Sequence, residues 1–364
     1  MFGKALAIAK FPRTLLVSSA LPMKLTVGLT YRCQSRCNHC ELWKTYDGVT
    51  QNSRREAKSD TYLKMLQDLK DDVVWVEFTG GEPFLRKEIV EIAAFSLNNT
   101  GTLAVGITSN GLDHDLVVKQ VHEILLKSKR KQLVVGISID GDPESYEQVR
   151  GVNGFYAAMD TYLELKRLAS HFRNLRPHIA YTISRFNVGS FPHFYDFVSD
   201  EYGIAISEIS FTVEHPFGYY FHKDSTSGMR VSDSFKAQTL KDVQSILDLR
   251  HREKLNHTRP LNLFYEYYLK NLFKYFANPQ QQVIPCKACD LSAYIDPYGY
   301  VHPCTIWKKE LGNLKNASFK TIWSSTTKQA VMQNVRTGKC PNCWTPCEAE
   351  ASWLFNFGMI RGWW

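Results

Sequence analysis

Residues 24–40 read KLTVGLTYRCQSRCNHC, a strand-like apolar run followed at once by three cysteines in the spacing CxxxCxxC. The thiols are Cys33, Cys37 and Cys40, and residues 33–40 are called the cysteine loop below. Iron–sulfur clusters usually take four thiolate ligands, and a structural zinc site also takes four ligands. The cysteine loop is therefore one ligand short of a complete metal site.

Apolar, β-branched runs alternate with segments of helical periodicity along the first two thirds of the chain. The predicted strands are 24–30, 73–79, 102–109, 133–139, 178–184 and 206–213, and the predicted helices are 60–72, 86–99, 113–129, 154–172 and 190–202. Strands that alternate with helices predict a parallel sheet covered by helices. Six such units fall short of the eight in a closed TIM barrel. The pattern therefore predicts an α/β fold with an open, partial (β/α)6 barrel.

Polar or glycine-rich motifs follow most of these predicted strands. The cysteine loop follows the first strand, GGEP (Gly80 to Pro83) the second and SNG (109–111) the third. Asp140 ends the fourth strand, and the pair at 214–215 ends the sixth. In parallel β/α barrels the active site is built at the carboxyl ends of the strands. These motifs are therefore expected to meet at one mouth.

Two metals compete for the cysteine loop. Zinc could bind the three thiols together with His39 or a later residue, but zinc sites favour paired CxxC spacings in small modules. A 4Fe-4S cluster held by three thiolates keeps one iron open for a ligand that binds through nitrogen and oxygen. The position of the loop at the mouth of a barrel favours the iron–sulfur cluster.

The CxxxCxxC motif, GGEP at 80–83 and the order of the strand-end motifs over residues 24–214 resemble the radical S-adenosylmethionine (SAM) superfamily. In that family the amino and carboxylate groups of SAM bind the fourth iron. The reduced cluster passes one electron to SAM, which yields methionine and a 5'-deoxyadenosyl radical that abstracts hydrogen from a substrate. The resemblance implies that SAM completes the ligand set of the cysteine loop.

The same resemblance implies a SAM-binding role for the GGEP motif. Gly80 and Gly81 would let the backbone approach the methionine amino group, because glycine lacks a Cβ. Glu82 would lie nearby, and Pro83 would fix the turn.

Further SAM-binding residues follow from the resemblance: His39, Ser109, Asn110, Ser138, Asp140 and Arg150. His39 stands where the family often carries an aromatic residue against the adenine, and a solvated loop residue is the alternative. Arg150 resembles an arginine that pairs with the SAM carboxylate, which suits a bidentate guanidinium. The alternative for Arg150 is a surface charge at a helix end.

A second group of cysteines lies near the C-terminus: Cys286, Cys289, Cys304, Cys340, Cys343 and Cys347. Between them, the segment 293–304 predicts a β-hairpin that turns at 297–299. The arrangement resembles the SPASM or shorter twitch extension of radical SAM enzymes, which holds auxiliary iron–sulfur clusters. Zinc is the alternative, because CxxC pairs are the usual spacing of zinc ribbons.

The full SPASM pattern has more cysteines than this region offers, so the ligand count stays open. One solution is a single cluster on Cys286, Cys289, Cys304 and Cys347. The other, slightly favoured, is two clusters with three cysteines each. Such clusters would carry an electron away after substrate oxidation or bind the substrate.

The predicted organisation has four parts. Residues 1–23 form an amphipathic segment, 24–215 the barrel, 216–282 a helical connection with helices at 232–255 and 261–277, and 283–364 a small cysteine-rich SPASM/twitch-like domain. The basic N-terminal segment could rest on an anionic membrane or cap the open barrel. The aromatic C-terminal tail could pack against the auxiliary domain rather than remain exposed.

The composition favours a cytoplasmic globular protein. A hydrophobic share of 44% is ordinary, and no run approaches the roughly 18 apolar residues of a membrane span. Lys10 and Arg13 interrupt the first apolar stretch, which argues against a secretory signal. Nine cysteines in tight groups then indicate metal or catalysis. The net charge of +8 counts the cysteines as neutral and does not predict a nucleic-acid partner.

The predicted function is that of a radical SAM oxidoreductase acting on a peptide or protein side chain, because SPASM relatives mostly modify peptides. The lack of a region of about 90 residues before the barrel to bind a leader peptide weakens this choice. The first alternative is the same chemistry on a lipid, sugar or other small metabolite, either at a membrane surface or away from it. The second is a zinc-binding protein without redox chemistry. A flavodoxin or ferredoxin would supply electrons to the enzyme.

Overall fold

The computed structural model describes residues 21–45, 56–128, 131–215, 218, 232–253, 260–353 and 356. Most of the predicted N-terminal segment, nearly all of the loop predicted at 216–230 and the aromatic tail lie outside these residues. None of the helices in the described part of the chain is long and apolar enough to cross a membrane.

A single sheet runs through the described residues in the order β6-β5-β4-β3-β2-β1-β7-β8-β9. Its strands are β1 (Lys24–Thr30), β2 (Trp75–Gly80), β3 (Ala104–Ser109), β4 (Gln132–Ser138), β5 (Leu175–Ile183), β6 (Ile209–Val213), β7 (Ser292–Ile295), β8 (Tyr300–His302) and β9 (Gly312–Asn313). Strands β1 to β6 pair in parallel, each with its neighbour in the chain. This confirms the partial barrel that the alternating pattern predicts.

Eleven helices accompany this sheet in the described residues. They are α1 (Ser59–Asp68), α2 (Ile89–Asn99), α3 (His114–Lys127), α4 (Pro143–Arg150), α5 (Phe155–His171), α6 (Phe191–Tyr202), α7 (Asp233–Arg252), α8 (Pro260–Ala277), α9 (Phe319–Trp323), α10 (Thr326–Arg336) and α11 (Pro346–Trp353). The helices predicted up to residue 277 are all present, with ends that differ by a few residues, as is usual for helix boundaries.

Helix α4 is not predicted by periodicity, because it is only two turns long. It nevertheless carries start and stop signals. Asp142 caps it by accepting a hydrogen bond from the Ser145 backbone N–H at 2.9 Å, and Pro143 occupies the first turn. Gly151 ends it in the left-handed conformation with φ 65°.

The last predicted strand begins too early. Residues 206–208 form a short 3-10 helix, and β6 begins only at Ile209. The Glu208 carboxylate accepts a hydrogen bond from the Ala205 backbone N–H at 2.9 Å, which closes this turn. The local hydrogen bond therefore replaces strand pairing at these residues.

Alternating residues of the barrel strands face opposite sides, because the side-chain period of a strand is two. Leu25, Val27 and Leu29 of β1 are fully buried in the apolar core. Thr26 of the same strand lines a large internal cavity, as does Glu77 of β2. The inner face of the barrel therefore carries polar and charged side chains among apolar ones, and the outward-facing residues of β1 lie in the apolar core.

The C-terminal hairpin continues the barrel sheet. Strand β7 pairs in parallel with β1, with Lys24 opposite Ser292, and β8 pairs antiparallel with β7. Gly299 stands at the turn with φ 87°, which agrees with the predicted hairpin. The division into domains near residues 278–284 remains a prediction.

Candidate active site

The cysteine loop is held in place by the end of helix α4. The backbone N–H of Arg36 donates to the carbonyl of Arg150 at 3.0 Å, and that of Asn38 donates to Val149 at 2.9 Å. The Asn38 amide also donates to the Gln148 carbonyl at 2.7 Å. The last carbonyls of a helix have no partner within the helix, so the loop satisfies them and is fixed by them.

The three thiols of the loop line one cavity of about 1000 Å³ inside the barrel. Burial, with smaller contributions from Glu82 and Cys37, raises the pKa of Cys33 to about 11, and burial together with Cys37 raises the pKa of Cys40 to about 12. Thiolates placed this close repel one another unless a cation neutralises them. Converging soft ligands of this kind suit an iron–sulfur cluster with three protein ligands.

The GGEP motif packs against the backbone that leads into the loop. The N–H of Gly81 donates to the Thr30 carbonyl and that of Glu82 to the Arg32 carbonyl, both at 2.7 Å. A Cβ on Gly81 would overlap the Arg32 carbonyl. Backbone packing therefore requires glycine at position 81, whether or not SAM binds there. Gly80 and Gly81 also line the cavity.

Replacing Gly81 with Ala is therefore expected to weaken SAM binding by at least about tenfold, since the displaced Arg32 carbonyl precedes Cys33 directly. Equilibrium binding of SAM to the reconstituted protein measures this. Gly203→Ala is the control, because Gly203 has φ 63° but no atom within 4 Å of the added methyl group. Equal SAM affinity in the two variants would contradict the assignment.

Glu82 connects the ends of the second and third strands. Its carboxylate accepts hydrogen bonds from the Phe84 N–H at 3.1 Å, the Ser109 hydroxyl at 3.0 Å and the Asn110 N–H at 2.7 Å. Burial raises the pKa of Glu82 to about 7, although these hydrogen bonds oppose the shift. Glu82 thus lies behind the cavity wall and positions residues that form it.

Asn110 connects this network to the cysteine loop. Its amide nitrogen lies 3.7 Å from the Cys33 sulfur and donates to the Gln34 side chain at 3.1 Å. Its side-chain oxygen accepts from the Leu112 N–H at 2.9 Å. The carboxyl end of the third strand therefore orients the first thiol.

Arg150 is buried and held on two sides. Its Nη1 donates to the Cys37 sulfur at 3.2 Å, and its Nε forms an ion pair with Asp140 at 2.9 Å. Burial lowers the pKa of Arg150, but Asp140 and Cys37 outweigh that effect and raise it. Asp140 is fixed in turn by the Thr182 N–H at 2.7 Å. These contacts exclude the surface-charge alternative for Arg150.

The predicted SAM-binding residues fall into two layers. Those in the cavity wall are His39, Gly80, Gly81, Ser109, Asn110, Ser138 and Arg150. Glu82, Pro83 and Asp140 are buried behind the wall. His39 is only 7% exposed, so the solvated-loop alternative does not describe it.

The pair that follows β6 connects the barrel to the C-terminal region. His215 is buried, and its Nε2 accepts a hydrogen bond from the Trp344 N–H at 3.2 Å. Glu214 forms an ion pair with Arg185 at 2.8 Å. Because Trp344 follows Cys343 directly, the mouth of the barrel and the second cysteine group are tied together.

The cavity extends to the amino ends of the strands, where polar residues lie that the motifs do not predict. Lys24 forms an ion pair with Glu350 at 2.5 Å. Glu77 accepts hydrogen bonds from Trp75 at 3.2 Å and Thr108 at 3.0 Å, and burial raises its pKa. For Glu77, the signal in the sequence was a charged residue inside an otherwise apolar strand, in the run WVEF.

Four cysteines of the second group line a separate small cavity: Cys286, Cys304, Cys340 and Cys343. Burial raises the pKa of Cys286 to about 12, and it raises the pKa of Cys304 and Cys343 as well. The backbone N–H of Ala288 points at the Cys286 sulfur at 3.4 Å, and that of Trp307 at the Cys304 sulfur at 3.3 Å. Four thiolates are the usual ligand number of an iron–sulfur cluster, so these four cysteines are candidate ligands of one auxiliary cluster.

The other two cysteines lie elsewhere. Cys347 lines the large cavity beside Lys24 and Glu350. Cys289 is fully buried, lines neither cavity and has its sulfur 3.8 Å from the Lys328 carbonyl. The cavity lining thus groups Cys286 and Cys304 with Cys340 and Cys343. The two ligand sets drawn from the sequence stay predictions.

Sequence comparisons identify two regions of the chain. Residues 27–183 match the radical SAM superfamily, and residues 282–348 match the SPASM iron–sulfur cluster-binding domain. The chain is 27% identical over 308 residues to the subtilosin biosynthesis protein AlbA of Bacillus subtilis, covering 84% of this chain and 60% of AlbA. It is 26% identical to the sporulation killing factor maturation protein SkfB of the same organism, covering 89% of this chain and 70% of SkfB.

Solved structures share the fold. A structure of anSMEcpe with bound AdoMet superposes with a TM-score of 0.60 at 14% identity, covering 93% of this chain and 98% of that one. Streptococcus suis SuiB bound to its precursor peptide SuiA superposes with a TM-score of 0.57 at 16% identity, covering 91% of this chain and 72% of SuiB.

Proposed function

The chain belongs to the radical SAM superfamily and carries a SPASM domain, and from this premise we propose that it modifies a peptide or protein side chain by radical chemistry. A 4Fe-4S cluster bound at the cysteine loop would supply the electron for reductive cleavage of SAM to methionine and a 5'-deoxyadenosyl radical able to abstract hydrogen from the substrate. Cys33, Cys37 and Cys40 would hold the cluster, and the neighbouring residues of the cavity wall would hold SAM.

One observation carries the proposal: the cavity joins the cysteine loop at one end to polar residues of the C-terminal region at the other. Cys33 and Arg150 lie at the first end, and Cys347 and Glu350 at the second. A volume of about 1000 Å³ is at the upper end for ligand pockets, which leaves room for a substrate group beside SAM. The four-thiol site is close to this space along the chain, because Cys343 of that site and Cys347 of the large cavity are four residues apart.

The peptide substrate is supported by the relatives. AlbA is named for biosynthesis of the bacteriocin subtilosin and SkfB for maturation of the sporulation killing factor, and SuiB has been solved with its precursor peptide SuiA. The competing substrate class is a small polar metabolite, which the charged residues Lys24, Glu77 and Glu350 in the cavity favour. The experiment below separates the two.

The remaining partners are proposals as well. A flavodoxin or ferredoxin would reduce the clusters, and the cytoplasm would be the compartment in which the cysteines stay reduced. Peripheral contact of the N-terminal segment with a membrane remains a prediction about residues outside the described part of the chain.

Anaerobic reconstitution with iron and sulfide tests the activity. The expected product is a brown protein that, when reduced, converts SAM to 5'-deoxyadenosine and methionine. A colourless zinc protein that leaves SAM intact would contradict the proposal. Incubation with deuterated cell fractions then identifies the substrate class, because deuterium enters 5'-deoxyadenosine only when the fraction contains the substrate. Transfer from the peptide fraction supports a peptide, and transfer from the small-molecule fraction alone refutes it.

A further inference from the structure

Arg250 occupies an unusual position near the end of helix α7. It is 6% exposed and lines the large cavity together with Asn262 and Tyr265 of helix α8. Its guanidinium carbon lies 6.0 Å from the centre of the Tyr265 ring, and Nη2 donates to the Asn262 side chain at 3.4 Å. The plane of the guanidinium is thus supported, while most of its donors have no bonded acceptor among the described residues.

The carboxylates near Arg250 bind other groups. Glu253 accepts hydrogen bonds from the Tyr195 hydroxyl at 2.6 Å and the Ile206 N–H at 2.9 Å. Glu266 forms an ion pair with Lys270 at 2.5 Å. Within the described ranges, neither carboxylate comes within ion-pair distance of Arg250. Burial lowers the pKa of Arg250, and these neighbours do not restore it.

The other buried arginines of the described chain each have a carboxylate partner, which Arg250 lacks. Arg150 is paired with Asp140, and Arg86 is paired with Glu56 and Glu88. A buried charge without a counterion is unfavourable unless another anion supplies the pairing. Lys24, a half-buried cation that lines the same cavity, is already paired with Glu350.

We propose that Arg250, supported by Asn262 and Tyr265, is an anion-binding subsite that receives a carboxylate or phosphate group of the substrate. The assignment to substrate rests on the proposed function. The fork of the guanidinium matches either anion in a bidentate way. Because the subsite shares the cavity with the cysteine loop, an anion held there would anchor the substrate at a distance from the atom that loses hydrogen.

Binding of small anions to the reconstituted protein tests the subsite without turnover. The probes are inorganic phosphate, N-acetylglycine as a carboxylate and N-acetylglycinamide as its uncharged counterpart. Calorimetry and thermal unfolding of wild type, Arg250→Met and Arg252→Met provide the readouts. Arg252 lies on the same helix and is exposed, so it controls for loss of one positive charge.

If Arg250 forms the subsite, phosphate or N-acetylglycine should bind wild type and Arg252→Met at least tenfold more tightly than it binds Arg250→Met. The uncharged amide should bind none of the three proteins. The tighter of the two anions indicates whether the substrate carries a phosphate or a carboxylate. Without anion, Arg250→Met should unfold at a higher temperature than wild type, because it buries no unpaired charge. A lower unfolding temperature for Arg250→Met, or equal anion binding by all three proteins, would overturn the subsite.

These readouts are independent of SAM cleavage. If wild type binds the anion through Arg250 but never forms 5'-deoxyadenosine, the proposed function fails and the subsite stands. If it cleaves SAM but binds neither anion, the subsite fails and the proposed function stands.

Discussion

Replacing Cys33, Cys37 and Cys40 together with Ala is expected to abolish formation of 5'-deoxyadenosine while leaving iron bound at the C-terminal cysteines. The three thiols line the same cavity and are the cysteines of that cavity's mouth. Cys343 and its partners line a different cavity. The variant should therefore lose about four iron atoms per chain, the content of one cluster, and retain the auxiliary iron.

Iron and sulfide analysis with SAM cleavage under reducing conditions measures both effects. Lys44→Ala is the control, because Lys44 is exposed just after the cysteine loop. It should keep full iron content and full cleavage. Residual cleavage by the triple variant at the wild-type rate would refute the assignment of the loop, whereas loss of all iron would show that the two metal regions do not fold independently.

Much of this site follows from the sequence because parallel strands place all their carboxyl ends at one edge. Once the alternating pattern assigns β1 to β4, the cysteine loop, GGEP, Ser109 and Asp140 must converge. The bounds of β1 agree with the prediction, since every residue of the strand after Lys24 is buried. Periodicity and motif order are therefore sufficient for the architecture.

Side-chain partners do not follow in the same way. Arg150 and Asp140 each fit a SAM-binding role by motif, yet their ion pair depends on helix α4, which is too short for periodicity to indicate. The pairing of β7 with β1 joins residues far apart in the chain, and no local pattern encodes such a contact. These features come from tertiary packing, which overrides local signals.

The sequence also leaves open how the C-terminal thiols are grouped, because spacing alone does not fix which cysteines meet. Single substitutions to Ser are expected to divide them into two classes. Cys304→Ser and Cys343→Ser should lose most of the auxiliary iron, since both residues line the four-thiol cavity. Cys289→Ser should retain it, because its sulfur contacts the Lys328 carbonyl instead.

Cys347→Ser gives the sharpest comparison, because the single-cluster set drawn from the sequence includes Cys347 and omits Cys343. In the structure Cys347 lies beside Lys24 and Glu350 in the large cavity, four residues beyond Cys343. We therefore expect Cys347→Ser to keep its auxiliary iron and its absorbance near 400 nm, with any defect confined to turnover of substrate. The reverse result, iron lost from Cys347→Ser and kept by Cys343→Ser, would restore the single cluster on Cys286, Cys289, Cys304 and Cys347.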